Sequence, residues 1–172
     1  MKVPKFLVFI GLSMVMLLAA CGASDQAKEI VEYHNSYLKN VNDKGEQLDK
    51  IIKQSLQEAN PQAAYQMQKE KAMPIVQEIT DYMKAQEPKT DVVKELHQMR
   101  LDQFEKWEKG IKMKFDAVKQ MGEGISQQKT KKLVNKANEE LKKAIELGKK
   151  ADEKFLELAE EYNIELDTEQ SN

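Results

Sequence analysis

Hydrophobic residues recur every three or four positions along most of the chain, from about residue 24 to residue 162. This spacing is the period of an amphipathic α-helix, and no run of alternating β-branched residues predicts a strand. Turn and capping residues divide the pattern into four predicted helices. These run from Ser24 to about Ala59, from Pro61 to about Gln86, from Thr90 to about Met121, and from Ser126 to about Tyr162.

Individual residues mark the boundaries of these helices. Asn60 and Pro61 form a start signal, because asparagine caps a helix N-terminus and proline fits its first position. Thr90 is the predicted cap of the third helix, and Asn163 predicts a left-handed cap at the end of the fourth. Pro74 falls inside the second predicted helix, opposite its apolar residues, which predicts a kink on the solvent side rather than a break.

The third predicted helix has the most continuous apolar stripe, and the fourth has a heptad seam with small residues near its centre. The predicted core positions of the four helices, in chain order, are Ile30, Tyr37, Leu38, Val41, Leu48, Ile52 and Ala59; Ala64, Ala72, Ile75, Ile79 and Tyr82; Val93, Leu96, Phe104, Trp107, Ile111, Phe115, Val118 and Met121; and Val134, Ala137, Leu141, Ala144, Gly148, Ala151, Phe155, Leu158 and Tyr162.

Short connections between long amphipathic helices favour antiparallel neighbours. We therefore expect an all-α protein, with an elongated antiparallel up-down four-helix bundle over residues 25–166. The alternative is a three-helix, coiled-coil-like bundle in which the first two segments are partly continuous. The polar residues 167–172 predict a disordered tail.

A different pattern precedes the helices. Lys2 and Lys5 are followed by an uncharged, mostly apolar run from Phe6 to Ala20, which is typical of a cleaved secretory signal peptide and too short for a spanning helix. The last three residues of this run and the cysteine that follows it, Cys21, form the motif Leu-Ala-Ala-Cys. This motif resembles the lipobox of bacterial lipoproteins.

The resemblance implies a diacylglyceryl group on the thiol of Cys21, cleavage just before this residue, and a new amino group open to acylation. Two acyl chains hold a protein stably on a membrane without a spanning helix. We thus expect a signal peptide at 1–20, a lipidated N-terminus and short linker at 21–24, and a protein anchored by lipid on the extracytoplasmic face of the cell membrane.

Composition narrows the class of protein. Cys21 is the only cysteine, so the exported domain is expected to rely on its hydrophobic core rather than on disulfides. The formal net charge of −2 becomes −4 once Lys2 and Lys5 are removed, and an acidic balance argues against nucleic-acid binding. Arg100 is the only arginine among 27 basic residues, a bias typical of AT-rich genomes that, with the lipobox, favours a Gram-positive source.

Residues that carry catalytic or metal chemistry are scarce. The two histidines lie within or beside apolar stripes, and the residues three before them are Val31 and Lys94, so neither His34 nor His97 completes the Glu-x-x-His pair of di-iron bundles. We expect both histidines to pack at the edge of the core. The sequence also lacks a glycine-rich phosphate loop and a serine-hydrolase elbow. We expect neither an enzyme nor a cofactor or metal.

Charge is distributed unevenly along the fourth predicted helix. Residues 126–150 contain eight lysines and three acids, whereas residues 151–172 contain eight acids and one lysine. Both halves oppose the helix dipole, which favours acids at the N-terminus and bases at the C-terminus. The start of this helix is expected to point away from the lipid, toward anionic wall polymers. The candidate contact residues are Lys129, Lys131, Lys132 and Lys136. The alternative is a solvated face whose lysines pair with neighbouring helices.

A lipobox followed by long Lys/Glu-rich helices is similar to the cell-wall-binding lipoproteins of Gram-positive bacteria. The resemblance predicts a lipid-anchored helical binding or structural protein of the cell envelope, whose partner is a protein or an anionic wall polymer. The alternative function is an extracytoplasmic sensor or carrier with a small apolar ligand in the bundle core, beside Phe104, Trp107 and the small-residue seam of the fourth helix.

Overall fold

The structure is a computed structural model that describes residues 24–166, and nearly all of these residues are helical. The expectation of an all-α fold is confirmed over this range. Cys21, the predicted signal peptide at 1–20 and the predicted tail at 167–172 lie outside the described residues. The elements, in order, are α1 (Asp25–Tyr37), the π-helical segment π1 (Leu38–Asn42), α2 (Asp43–Gln57), α3 (Pro61–Met67), the π-helical segment π2 (Gln68–Ala72), α4 (Met73–Lys84), α5 (Asp91–Gly122) and α6 (Gln127–Glu161).

Residues 24–166 thus contain six α-helices where the sequence predicted four helical segments, because each of the first two segments contains a π-helical turn. In π2 the N–H of Met73 donates to the carbonyl of Gln68, five residues earlier. This wide turn immediately precedes Pro74, which has no N–H to donate to the carbonyl four residues before it. Pro74 is exposed, as predicted, and the chain continues as α4 without a break.

The π turn also changes which side chains are buried. Ala64, Gln68, Ala72, Val76 and Thr80 are all buried at intervals of four residues. On a regular α-helix this series would rotate by about 160° from first to last, and the extra residue of a π turn takes up roughly 100° of it. The register after π2 therefore shifts by one position.

Beyond this turn the stripe predicted for a regular helix is confirmed at Ile79 and wrong at its other two positions. Val76 and Met83 are buried, whereas the predicted core residues Ile75 and Tyr82 are only half-buried. The prediction for Ala59 was also wrong, because α2 ends at Gln57 and Ala59 is exposed.

Most of the predicted core of the two longest helices is confirmed. On α5 the stripe is buried from Val93 to Phe115, but the prediction for its last position was wrong, since Met121 is 54% exposed. Val118 is half-buried. On α6 the small-residue seam is buried from Ala137 to Leu158, while the predicted end positions Val134 and Tyr162 are half-buried.

The buried apolar side chains form two clusters. One lies among the end of α1, π1, α2, π2, α4, the middle and second half of α5 and the middle of α6. The other lies among α1, the start of α5 and the end of α6. The first includes Val41, Leu48, Ile52, Val76, Ile79, Met83, Phe104, Trp107, Ile111, Phe115 and Leu141. The second includes Ile30, Val31, Val93, Leu96, Ala151, Phe155, Leu158 and Ile164.

The predicted helix ends are largely confirmed. Oδ1 of Asn60 accepts a hydrogen bond of 2.9 Å from the N–H of Gln62, and Asn163 has the left-handed φ of 52°.

Thr90 occupies the N-cap position of α5, but its side chain makes no capping hydrogen bond. Instead the carboxylate of Glu29, on α1, accepts from the backbone N–H groups of Lys89 and Thr90 at 2.5 and 2.8 Å. Because these hydrogen bonds stabilise the carboxylate against the effect of burial, the pKa of Glu29 is lowered.

Glycines bring α5 and α6 close together. A Cβ added at Gly110 would lie 2.6 Å from Cγ of Leu141 and 3.2 Å from the carbonyl oxygen of Ala137, both on α6. In the opposite direction, a Cβ at Gly148 of α6 would lie 2.8 Å from Nε2 of Gln103. The close approach that the small residues of α6 predicted thus involves a glycine on each helix.

Replacing Gly110 with alanine should destabilise the protein by about 1–3 kcal/mol, because the added methyl group forces Leu141 out of its packed position. Gly45 of α2 is the matched control, since a Cβ there meets nothing within 4 Å. Gly45→Ala should stabilise the protein by about 0.5–1 kcal/mol through helix propensity alone. Urea melts of both variants measure the difference, and a stabilised Gly110→Ala protein would contradict the close packing.

Candidate functional site

The four lysines predicted as a contact surface are exposed at the start of α6. Within residues 24–166 none of them forms an ion pair, whereas several other lysines of α5 and α6 do. Lys109, for example, lies 3.3 Å from Glu140, and Lys154 lies 3.2 Å from Glu95. The pairing with neighbouring helices that the alternative predicted is therefore absent among residues 24–166, whereas the solvent-exposed face that it also predicted is observed. We call Lys129, Lys131, Lys132 and Lys136 the lysine surface.

Contacts between helices locate the lysine surface in the molecule. A Cβ added at Gly122, the last residue of α5, would lie 3.2 Å from the backbone nitrogen of Gln62, so the 58–60 and 123–126 connections meet at one end. Glu29 binds the start of α5 at the other end. Because α5 contains 32 residues, the two ends are roughly 48 Å apart. Thus the lysine surface lies at the end opposite Ser24.

The same end carries exposed apolar side chains. Leu56, Met121 and Ile125 are three of the five large hydrophobic side chains that are exposed in the described chain. Leu56 precedes the 58–60 connection, and Met121 and Ile125 flank the turn between α5 and α6. These three apolar side chains and the lysine surface thus share one end of the molecule.

Sequence reasoning missed a buried polar cluster around Arg100. Its side chain packs between α1, α5 and α6 and is only 3% exposed. One guanidinium nitrogen donates to Asp152 at 2.5 Å, another donates to Oε1 of Gln103 at 3.1 Å, and the guanidinium lies 4.7 Å from the centre of the Tyr37 ring. The sequence contained one indication of this burial. Arg100 occupies the helical position between Leu96 and Phe104 in the predicted apolar stripe of α5.

The electrostatics of this cluster follow from burial. Burial lowers the pKa of Arg100, but the nearby Tyr37 and Asp152 favour the charged guanidinium more strongly, and the net shift is upward. Burial also raises the pKa of the Tyr37 hydroxyl. The cluster thus holds one charged pair in a fixed position. Its contacts connect α1, α5 and α6, and its charged groups are used in these contacts.

Both histidines lie next to this cluster. His34 is buried, as its place in the stripe predicted, and stacks on Phe155 with ring centres 3.9 Å apart. His97 is 7% exposed, and its Nδ1 is hydrogen-bonded to the Tyr33 hydroxyl at 3.1 Å. Burial lowers the pKa of His97. Across residues 24–166 there is no group of three histidine, cysteine or acidic side chains placed to hold a metal ion.

The side chains considered for a carrier site are part of the first apolar cluster. Phe104 and Trp107 are buried and meet edge to face, with ring centres 5.6 Å apart.

Among the described helices, none is long and apolar enough to cross a membrane.

Comparison with known proteins adds no relative. No protein-family model, no curated protein and no solved structure matches this sequence.

Lowering the pH from about 7.5 to about 5.5 should reduce the free energy of unfolding, because burial disfavours protonation of His97 in the folded state only. The pKa of His97 is lower in the folded state than in the unfolded state. The stability that neutral His97 contributes is therefore complete above the unfolded-state pKa and is lost as the pH falls through the folded-state pKa. His97→Gln cannot titrate and should reduce the slope. Urea melts across this pH range measure it, and an unchanged slope would contradict the assignment.

Proposed function

We propose that this protein is a lipid-anchored, extracytoplasmic binding protein of the cell envelope and not an enzyme. In this proposal a diacylglyceryl group on Cys21 holds one end of the molecule at the cell membrane. The lysine surface at the other end binds an anionic wall polymer or an acidic protein partner. The observation that carries the proposal is that these four lysines are exposed and unpaired within residues 24–166, at the end opposite Ser24.

The proposal includes the finer architecture. We infer that the helices act as four rods of an antiparallel up-down bundle, in which α1 to α2 form the first rod, α3 to α4 the second, α5 the third and α6 the fourth. Three pairs of contacts support this arrangement. Glu29 binds the start of α5, Gly122 lies against Gln62, and Ser36 and Tyr82 are hydrogen-bonded at 2.7 Å. A rod of this kind would carry the lysine surface away from the membrane.

The position of the lysines also supports a binding role. Positive charge at a helix N-terminus is unfavourable, because the helix dipole is positive there. Lys129 nevertheless lies in the first turn of α6, where this effect acts, and Lys131 follows directly after that turn. A partner with negative charge would offset this local cost, so the arrangement favours a role outside the chain.

Cys21→Ser should abolish membrane retention and leave the precursor uncleaved, since both steps depend on the lipid-modified thiol. Fractionation of cells followed by mass measurement of the protein tests both effects together. Ser24→Ala is the control, because it removes the α1 capping hydrogen bond and leaves Cys21 intact. A processed, membrane-bound Cys21→Ser protein would exclude the proposed anchor.

Changing all four residues of the lysine surface to glutamine should weaken binding of the protein to isolated cell walls. The fold should persist, because lysine and glutamine have similar helix propensities. The control removes the same charge from Lys39, Lys69, Lys71 and Lys84, which are exposed and lie outside α6. Binding by the wild type should also fall as salt rises, because exposed charges are screened beyond roughly 8 Å at physiological ionic strength. Equal effects of the two quadruple variants would show that only net charge matters.

A further inference from the structure

A second exposed surface runs along the outer side of α6. It consists of six residues, which we call the outer stripe: Lys142, Ile145, Lys149, Glu153, Leu156 and Glu160. All six are exposed, and Ile145 and Leu156 are 43% and 40% exposed. At about 100° per residue the six positions fall within roughly 80° of the helix circumference, and the centre of the stripe lies about 120° from the buried face.

The order of charge along the outer stripe is symmetric. Both lysines precede its centre and both glutamates follow it. Lys149 and Glu153 are equally distant from residue 151, and so are Lys142 and Glu160. The midpoint between Ile145 and Leu156 lies half a residue from residue 151. A helix that is reversed about this centre therefore presents opposite charges and matching apolar side chains.

We propose that the outer stripe is a self-association surface, on which a second copy of this chain packs its own α6 in antiparallel orientation. A two-fold axis near residue 151 would place Lys149 opposite Glu153 of the second copy and Lys142 opposite its Glu160. Ile145 would then meet Leu156. A two-fold interface repeats every contact, so each of these pairs occurs twice.

The charges favour this partner and this orientation. Lys149, Glu153 and Glu160 form no ion pair within residues 24–166, and Lys142 only approaches Glu146 at 3.9 Å, where both side chains are mostly exposed. A parallel pair would bring lysine to lysine and glutamate to glutamate, and such like-charge contacts are unfavourable.

This surface is distinct from the lysine surface and does not depend on the lipid anchor. An antiparallel pair directs the two Ser24 ends away from each other. Anchored copies that pair in this way would lie along one membrane or belong to two facing membranes. The inference can therefore be tested on the protein in solution, whatever the outcome for Cys21.

The test is a charge exchange in the full chain, purified in detergent and studied by sedimentation across a concentration series. Lys149→Glu and Glu153→Lys should each weaken dimerisation about tenfold, because each places like charges in contact at two symmetric positions. The double variant restores opposite charges and should return dimerisation to the wild-type level. Lys150→Glu is the control, since Lys150 lies about 100° around α6 from the centre of the outer stripe and should leave the dimer unchanged.

A monomeric wild-type chain at every concentration, or a double variant no better than the single ones, would overturn the proposal. Added cysteines test the orientation. Ile145→Cys copies should crosslink through the new thiol to Leu156→Cys copies but not to each other, because two Ile145 positions in an antiparallel pair lie about 16 Å apart along the helix. Crosslinking of Ile145→Cys copies to one another would indicate parallel pairing instead.

Discussion

The close packing of α5 against α6 is the contact on which the rest of the structure depends. The two longest helices approach each other through Gly110 and Gly148, and both apolar clusters include side chains from this pair. The shorter helices complete the clusters on either side, with α1 over one and α2 and α4 over the other. Any change that separates α5 from α6 would expose both clusters, so this contact sets the stability of the whole domain.

The buried Arg100 cluster lies between the two apolar clusters. A buried ion pair contributes little net stability, because removing both charges from water costs about as much as their attraction returns. Its geometry is nevertheless specific, since Arg100 on α5 meets Asp152 on α6 and the ring of Tyr37 on α1 at once. Sliding any one helix would leave a buried charge without its partner. We infer that the cluster fixes the relative positions of the three helices.

Exposed charge is divided between two surfaces of α6. The lysine surface occupies the end of the molecule and carries one sign of charge, which suits an anionic partner. The outer stripe carries both signs in a symmetric order, which suits a second copy. In the described chain neither surface has its charges paired with a neighbouring helix, and both therefore suit partners outside the chain.

The sequence by itself determined the all-α class, most helix ends and the core positions of α5 and α6, because regular helices place residues by a fixed period. Beyond π2 it identified Ile79 but not Val76 or Met83, since an extra residue in one turn rotates everything after it. It also identified the lysine surface, but only the structure decided that these lysines lack intramolecular partners in the described chain. The environment of Arg100 depends on residues 63 and 52 positions away, Tyr37 and Asp152, and only tertiary packing brings such residues together.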